Sequence, residues 1–510
     1  MSRKVRFPRC SGVLMHPTSL PGRHGIGDFG PGAYRFIDWL LSAGQSLWQV
    51  CPLGPTGYGD SPYQCLSAFA GNPLLISLDR LIEEGLLLEE DVSTASAPAS
   101  GTGPEEDPHR VDYGRVIRTH LPLLRQAWRR FEARADEPQL RRFERFTRRS
   151  AAWLEDYVLF AALKDEAGGA PWYEWEKELR VRTTEALEAA YHRLAEECRF
   201  HRFVQFVFFS QWDDLRHYAQ TAGISIIGDM PIFVAHDSAE SWARPELFQF
   251  DQQLRPTAVA GVPPDYFSRT GQLWGNPLYD WEAHRREHFQ WWIDLFRSRF
   301  ELFDYLRVDH FRGFQAYWRV PWGNATAERG EWIAAPGKEL FDRIFDVLGP
   351  LPIIAEDLGV ITDEVVALMD HCGFPGMKIL QFAFDSGDSN DYLPHNFDPH
   401  SVVYTGTHDN NTVQGWFRGA SAHDRSLALA YIHGSPQEIH WDFVRTALAS
   451  VSDLAVIPLQ EFFGLGSEAR MNIPGTTGGN WQWRVSPAAL DESGVADRLH
   501  AMTERYGRTH

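Results

Sequence analysis

Short, almost continuous runs of apolar residues recur along the chain, separated by stretches that place apolar residues on one helical face. Apolar runs without polar alternation are typical of strands buried on both faces, as in parallel sheets. The eight runs that we interpret as strands are 12–17, 46–53, 224–234, 303–311, 351–358, 376–384, 401–409 and 454–463. Strands that alternate with helices imply parallel pairing with right-handed crossovers, so the pattern predicts an α/β chain folded as a closed (β/α)8 TIM barrel.

Three of the intervening helices have recognisable ends. Residues 31–43 carry apolar side chains on one face, and Gly44 follows in the position that commonly ends a helix. A second helix is expected to start after Thr362 as its N-cap and to stop at Gly373. A third helix covers 200–222.

Two long segments interrupt this alternation. Residues 60–199 separate the second and third predicted strands, and we interpret them as a mostly helical insertion. Within them, 92–110 indicates an acidic loop and about 115–199 indicates charged helices. A second insertion, 235–300, is rich in proline, glycine and aromatic residues and includes 258–276, a candidate lid. The whole chain is therefore expected to form one barrel with two inserted subdomains.

Charge and cysteine content narrow the functional classes. The formal net charge of −19 argues against nucleic acid or an anionic membrane as a partner. No segment approaches the roughly 18 consecutive apolar residues of a membrane span. The five cysteines form no CxxC pair, so neither a zinc site nor a disulfide framework is indicated. The N-terminal segment does not have the pattern of a signal peptide, and we expect a cytoplasmic monomer without a metal or cofactor.

Three acidic residues at the ends of predicted strands form a candidate catalytic site. Asp309 ends the fourth strand, Glu356 the fifth and Asp409 the seventh, and the C-terminal ends of barrel strands carry the active site. Buried carboxylates are costly unless they are paired or used. A retaining glycoside mechanism needs two carboxyl groups roughly 5–5.5 Å apart, one as nucleophile and one as acid/base. Asp309 is the shorter and fits the nucleophile, Glu356 fits the acid/base, and Asp409 would hold sugar hydroxyls.

Neighbouring polar residues fit the same interpretation. Arg307 precedes Asp309 by two positions, so it shares the same face of the strand and its charge can keep Asp309 ionised. His310 and His408 can donate hydrogen bonds to sugar hydroxyls. Asp229, at the end of the third strand, is by itself more often a structural acid, and only the combination favours a catalytic site.

At these residues the sequence resembles the amylomaltases, or 4-alpha-glucanotransferases, of glycoside hydrolase family 77 in the alpha-amylase superfamily. The resemblance is nearly end to end and is weakest over about 85–200. The segments that carry it include SGVLMHPTSLPGRHGIGDFG, PLGPTGYGDSPYQCLSAFAGNP, GVPPDYFSRTGQLWGNPLYDW, LRVDHFRGF, IIAEDLG, GTHDNNT and RMNIPGTTGGNWQWR.

The resemblance implies roles for individual residues. Asp309 matches the family's nucleophile, Glu356 its general acid/base and Asp409 its transition-state stabiliser. The residues that match the surroundings of the cleaved sugar are Arg307, His408, Asp229, Tyr63 and, on the acceptor side, Trp274. The closing segment NIPGTTGGNWQWR is expected to border the same cleft, with Asn472 and the tryptophans near the substrate; a C-terminal packing turn is the alternative from the residues alone. The family lacks the C-terminal β-sandwich of ordinary alpha-amylases, and only about 45 residues follow the eighth predicted strand here.

Transfer of α-1,4-glucan segments is the expected activity. Its substrates would be maltooligosaccharides and glucans from starch or glycogen, with glucose as an acceptor. A lid at 258–276 that excludes water would favour transfer to a sugar hydroxyl over hydrolysis. A hydrolase that uses the same carboxylates and a non-catalytic glucan-binding protein are the alternatives.

Overall fold

The chain forms two β-sheets within residues 4–96, 107–264, 268–476 and 478–509, which are the residues that the computed structural model describes. The strands of these sheets are β1 (Cys10–Leu14), β2 (Leu47–Gln49), β3 (Ser225–Met230), β4 (Ala258–Val262), β5 (Gln272–Pro277), β6 (Tyr305–Val308), β7 (Ala316–Pro321), β8 (Glu331–Ala334), β9 (Ile353–Ala355), β10 (Gly376–Ile379), β11 (Ser401–Tyr404) and β12 (Leu454–Pro458).

Eight of these strands build a parallel barrel in the order β10-β11-β12-β1-β2-β3-β6-β9. The amide of Ala355 in β9 donates a hydrogen bond of 2.9 Å to the carbonyl of Pro375, directly before β10, and this bond joins the two ends of the sheet. The predicted (β/α)8 barrel is therefore confirmed. The strands span only three to six residues, because each apolar run continues into a buried loop beyond the ladder.

Successive side chains of the barrel strands alternate between two apolar layers, as the geometry of a strand requires. In β11, Val402 and Tyr404 lie in the cluster that fills the barrel, whereas Val403 packs with the surrounding helices. In β3, Ile227 points inward and Ile226 outward. The positions two residues beyond an inward residue therefore also face the barrel interior.

Helices cover the outside of the barrel and fill the long connections. They are α1 (Pro31–Ser42), α2 (Leu78–Glu83), α3 (Glu89–Ser96), α4 (Tyr113–Arg134), α5 (Glu137–Glu166), α6 (Lys177–Arg180), α7 (Thr184–Arg193), α8 (Ala195–Thr221), α9 (Ala239–Ala243), α10 (Trp281–Arg286), α11 (Gln290–Leu302), α12 (Gly337–Leu348), α13 (Asp363–Cys372), α14 (Val413–Gly419), α15 (Ala422–Ile432), α16 (Ile439–Ala449), α17 (Leu459–Phe462), α18 (Pro487–Asp491) and α19 (Ser493–Arg505). None of the helices in the described part of the chain has the length and apolarity to cross a membrane.

The connection between β2 and β3 contains α2 to α8. A separate apolar cluster joins α5 and the start of α8 to α9, which follows β3. Two details differ from the prediction. The expected loop 92–110 begins within α3, which extends to Ser96, and 97–106 lie outside the described residues. The expected end of the insertion at 199 falls inside α8, which starts at Ala195 and forms the barrel helix before β3.

A second, antiparallel sheet in the order β5-β4-β7-β8 was not predicted. Its strands β4 and β5 belong to the insertion between β3 and β6, and β7 and β8 follow β6. The candidate lid 258–276 is the hairpin of β4 and β5, whose residues 265–267 lie outside the described part of the chain. All four strands connect C-terminal ends of barrel strands to later helices, so the small sheet lies at the mouth of the barrel.

Candidate active site

The ladder of β3, β6 and β9 brings the first acidic residues together. Asp229 in β3 is in register with Arg307 in β6, and both face the barrel interior. Asp309 follows β6 and its amide donates to the carbonyl of Met230 at 3.0 Å. Glu356 follows β9 and its amide donates to the carbonyl of Val308, also at 3.0 Å. The alternation of the strands thus directs four polar side chains to one end of the barrel.

Arg307 bridges two carboxylates through the fork of its guanidinium. Nη1 lies 2.8 and 2.6 Å from the two oxygens of Asp229, and Nη2 lies 2.9 Å from Oδ1 of Asp309. The side chains of Arg307 and Asp229 are buried, whereas Asp309 keeps 29% of its side-chain surface accessible at the bottom of the cleft. A fixed, planar cation is suited to such two-sided pairing. Arg307 therefore fixes the position of Asp309.

The pKa values of Asp309 and Glu356 are both raised, but by different amounts. Burial raises the pKa of Asp309 to about 6, although the charge of Arg307 acts in the opposite direction. The sequence suggested that Arg307 keeps Asp309 ionised, but this cation only partly offsets the effect of burial. Burial and the negative charge of Asp309 raise the pKa of Glu356 to about 8. Near pH 7 the pair therefore holds one ionised and one protonated carboxyl group, the division that acid/base catalysis requires.

Two backbone amides hold the carboxyl group of Glu356. Oε2 accepts a hydrogen bond from the amide of His310 at 2.6 Å, and Oε1 accepts one from the amide of Leu358 at 2.8 Å. His310 has a left-handed backbone, with φ of 50°, and starts the turn that leads away from Asp309. This conformation is uncommon for a residue with a side chain, and such strain is concentrated at functional sites.

Asp409 lies five residues beyond β11, in a loop and not at the end of a longer strand as predicted. Nδ2 of Asn472 donates to its Oδ1 at 2.6 Å, and Nε2 of His408 lies 3.4 Å from the same oxygen. The guanidinium of Arg470 donates to the backbone carbonyl of Asp409 at 2.6 Å. Arg470 was missed as a site residue, although it stands in the RMN segment that carries part of the resemblance.

Tyr63 joins the Asp409 loop to the Arg307 pair. Its hydroxyl donates to Oδ2 of Asp229 at 2.8 Å, and its ring stacks on that of His408 with centroids 4.9 Å apart. Trp481, one of the two tryptophans expected near the cleft from the closing segment, packs against the rings of Tyr63 and His408. The aromatic stack keeps the hydrogen-bonding groups of Tyr63 in place.

Trp274 projects from β5 and contacts the ring of His310 edge-on, with centroids 4.7 Å apart. Its indole N–H donates to Gln272 at 3.2 Å. Burial lowers the pKa of His310 to about 3, so its ring is neutral and can exchange hydrogen bonds with a sugar hydroxyl. The hairpin of β4 and β5 thus reaches the residue next to Asp309.

All ten residues predicted for the site lie at the same mouth of the barrel. Contacts link Asp309, Arg307, Asp229, Tyr63, His408, Asp409 and Asn472 into one chain. Glu356, His310 and Trp274 form a second group, joined to the first through the adjacent positions 309 and 310.

One group of side chains in the described part of the chain has the spacing of metal ligands, and it lies outside the site described above. It comprises Asp165, Glu197 and His201, on the outer face of the helical insertion. Arg125 pairs with Glu197 at 2.6 Å and lies 3.4 Å from Asp165. A protein cation already balances these acids.

A (β/α)8 barrel with an acid pair and a third carboxylate at its C-terminal mouth is the arrangement of enzymes that cleave glycosidic bonds. A family model described as 4-alpha-glucanotransferase matches residues 15–490. The chain belongs to this family.

Proteins and structures of high similarity agree with this assignment. The 4-alpha-glucanotransferase of Thermus thermophilus is 51% identical over 512 residues, covering 99% of this chain and 100% of the relative. The chloroplastic/amyloplastic 4-alpha-glucanotransferase of Solanum tuberosum is 44% identical over 510 residues, covering 98% and 86%. The structure of an amylomaltase from Streptococcus agalactiae in complex with acarbose superposes with a TM-score of 0.94 at 42% identity, covering 98% of this chain and 100% of that one.

Proposed function

We propose that this protein transfers segments of α-1,4-glucan from a donor chain to the 4-hydroxyl of an acceptor glucan or of glucose. The observation that carries the proposal is the geometry of Asp309 and Glu356 at the mouth of the barrel. Arg307 pairs with Asp309 at 2.9 Å, and the amide of His310, the residue after Asp309, donates to Glu356 at 2.6 Å. Burial and the charge of Asp309 raise the pKa of Glu356 to about 8, which favours its protonated form near pH 7. A carboxylic acid beside a carboxylate is the minimum that a retaining glycoside mechanism needs.

The reaction then runs in two displacements. Asp309 attacks the anomeric carbon and forms an ester with it, while the glycosidic C–O bond breaks and Glu356 gives its proton to the leaving oxygen. In the second step the 4-hydroxyl of the acceptor attacks the same carbon, gives its proton to Glu356 and releases Asp309. Asp409, positioned by Asn472, accepts hydrogen bonds from sugar hydroxyls as the ring distorts.

The lid hairpin supports transfer over hydrolysis in this proposal. Trp274 occupies the edge of the site beside His310, where the leaving sugar departs and the acceptor enters. An aromatic ring at this place stacks on an incoming sugar and displaces water, which would otherwise attack the ester.

A monomer is the proposed oligomeric state. Maltooligosaccharides and glucans derived from starch or glycogen are the proposed substrates. The cytoplasmic location stays a prediction from the sequence. The name of the Solanum tuberosum relative describes that protein as chloroplastic/amyloplastic.

Incubation with maltotriose alone tests the proposed function. We expect a ladder of longer chains together with glucose, at a constant number of reducing ends. Shorter products with rising reducing ends would identify a hydrolase instead, and binding without turnover would identify a non-catalytic protein.

The variant Asp309→Asn tests the nucleophile. It should lose at least about 10³-fold in turnover and still bind maltooligosaccharides, since the shape of the cleft is retained. Asp294→Asn, on the outer face of α11, is the matched control and should behave as the wild type. Normal turnover in Asp309→Asn would eliminate the assigned role.

A further inference from the structure

Three aromatic side chains from separate parts of the sequence meet at the surface near the barrel mouth. The ring of Tyr173, after α5, stacks on that of His236, after β3, with centroids 4.3 Å apart and an angle of 12°. Trp322, directly after β7, contacts His236 at a steep angle, with centroids 5.9 Å apart. Half of the surface of Trp322 is exposed to solvent. We refer to Tyr173, His236 and Trp322 as the aromatic platform.

The aromatic platform lies on the same side of the barrel as the catalytic groups. His236 belongs to the loop that leaves the C-terminal end of β3, seven positions after Asp229. The amide of Trp322 donates to the carbonyl of Thr257, directly before β4. Trp274 lies on β5, which pairs with β4 about three residues further along, and this separates it from Trp322 by about 10 Å along the strands. A glucan that occupies the cleft needs only a few more sugar units to reach the platform.

The surroundings hold the platform in a fixed geometry. The indole N–H of Trp172 donates to the carbonyl of His236 at 2.7 Å. Asp237 accepts a hydrogen bond from the amide of Trp172 at 3.2 Å and pairs with Lys164 at 2.5 Å. A rigid surface binds a ligand with a smaller loss of conformational entropy. In this ion pair Lys164 balances the charge of Asp237, the residue that follows His236.

Packing accounts for Tyr173 and His236 but not for the exposed face of Trp322. Phe250 contacts His236 from the adjoining segment, with ring centroids 5.6 Å apart, so the histidine is enclosed by aromatic rings. Trp322 is the outermost ring of the group and leaves half of its surface in water. Exposed aromatic rings held by a rigid support mark binding sites more often than isolated exposed aliphatic residues do.

We propose that the aromatic platform binds sugar rings of an α-1,4-glucan chain that extends beyond the catalytic cleft. The inference rests on the proposed function and deepens it, because it selects long glucans over maltotriose. The apolar C–H face of a glucosyl unit stacks on Trp322, and the unit needs no charged partner. Continuity with the barrel mouth favours a glucan over a protein or a second copy of the chain as the occupant.

The variant Trp322→Ala tests the platform against substrates of two lengths. KM for long amylose should rise about five- to tenfold, the value of one aromatic contact, while kcat and KM for maltotriose stay within about twofold of the wild type. Trp322→Phe should restore most of the affinity for amylose. Tyr218 lies on the outer face of α8 and is 38% exposed, so Tyr218→Ala removes a comparable ring elsewhere. It should leave kcat and KM unchanged for both substrates.

Binding without turnover separates this proposal from the proposed function. Retardation in a gel that contains amylose should be strong for Asp309→Asn and weaker for the double variant with Trp322→Ala. Equal retardation of both, or an equal loss with maltotriose and amylose, would overturn the platform. A shift from dimer to monomer caused by Trp322→Ala would assign this surface to a second copy. If maltotriose is not disproportionated but the retardation depends on Trp322, the proposed function fails and the binding site remains.

Discussion

Replacement of Glu356 by glutamine should remove activity and change the pH dependence of stability in a way that the structure specifies. Both oxygens of Glu356 accept backbone hydrogen bonds, from the amides of His310 and Leu358. A protonated carboxyl group can still accept both. Glutamine offers one acceptor oxygen and one NH2 group, so one of the two amides meets a donor instead. Leaving a buried donor without a partner costs about 1–3 kcal/mol.

In the wild type, burial destabilises the charged form of Glu356. Its pKa rises from 4.5 in the unfolded chain to about 8 in the folded protein. Between these two values the folded protein holds a proton that the unfolded chain has released, so the free energy of unfolding falls as the pH rises. Above pH 8 the full cost is present, about 3 to 5 kcal/mol. Glutamine carries no charge at any pH and avoids this loss.

The two effects have opposite signs, and the pH decides which is larger. At pH 5 we expect Glu356→Gln to be about 1–3 kcal/mol less stable than the wild type, because only the lost acceptor matters. At pH 9 we expect it to be about 2 kcal/mol more stable. Urea denaturation of both proteins from pH 5 to 9 measures the difference directly. A difference that does not depend on pH would refute the raised pKa of Glu356.

Glu461 provides a matched control for this experiment. It is buried, both of its oxygens accept from the amide of Val413, and burial raises its pKa to about 8. Glu461→Gln should therefore show the same trend in stability with pH. It should keep most of the turnover of maltotriose, whereas Glu356→Gln should lose at least about 10²-fold. Similar losses of turnover in both variants would show that burial of a glutamate, and not its position beside Asp309, determines activity.

Four further outcomes are expected. For the wild type, kcat/KM for maltotriose should follow a bell between about pH 6 and 8, since the nucleophile must be ionised and the acid protonated; a flat profile over this range would contradict the assignment. Asn472→Ala should lower kcat about 10- to 100-fold with little change in KM, because the third carboxylate loses its amide donor; an unchanged kcat would exclude the positioning role. Trp274→Ala should raise the ratio of hydrolysis to transfer, measured as reducing ends per transfer event, and an unchanged ratio would count against the lid. Arg508→Met should lower the free energy of unfolding by about 3 kcal/mol, because the buried guanidinium donates to five backbone carbonyls. The control Arg505→Met changes an exposed side chain and should alter this free energy by less than about 0.5 kcal/mol. Equal effects of the two substitutions would refute the argument.

Residues close to a barrel strand could be predicted from the sequence because one rule positions them. Apolar runs identify the strands, and alternation then directs every second side chain inward. Ile227 and Asp229 share a face for this reason, as do Arg307 and Asp309. The order of strands along the chain also made β6 and β9 neighbours. The positions of Arg307 and Glu356 could therefore be predicted from the sequence.

Residues held by loops from distant parts of the chain could not be derived in the same way. Asp409 lies in a turn beyond β11, and its position depends on Asn472 and Arg470, more than sixty residues later. No periodicity links these positions, and only the family resemblance pointed to Asn472. The second sheet was missed because its strands are short and lie among proline and glycine. The alternating segments 316–321 and 331–334 around a Trp-Gly-Asn turn could have indicated β7 and β8 as a hairpin.

The charges around Glu356 suggest how one residue could act first as an acid and then as a base. Arg307 balances only one of its two partners, Asp229 and Asp309, so the pair and its cation together leave a negative charge beside Glu356. This charge helps to hold the proton on Glu356 before the first displacement. In the proposed intermediate Asp309 is an ester and carries no charge, so the pKa of Glu356 should fall. The residue would then be ionised when the acceptor hydroxyl arrives, and the return of the carboxylate at Asp309 would raise the pKa again.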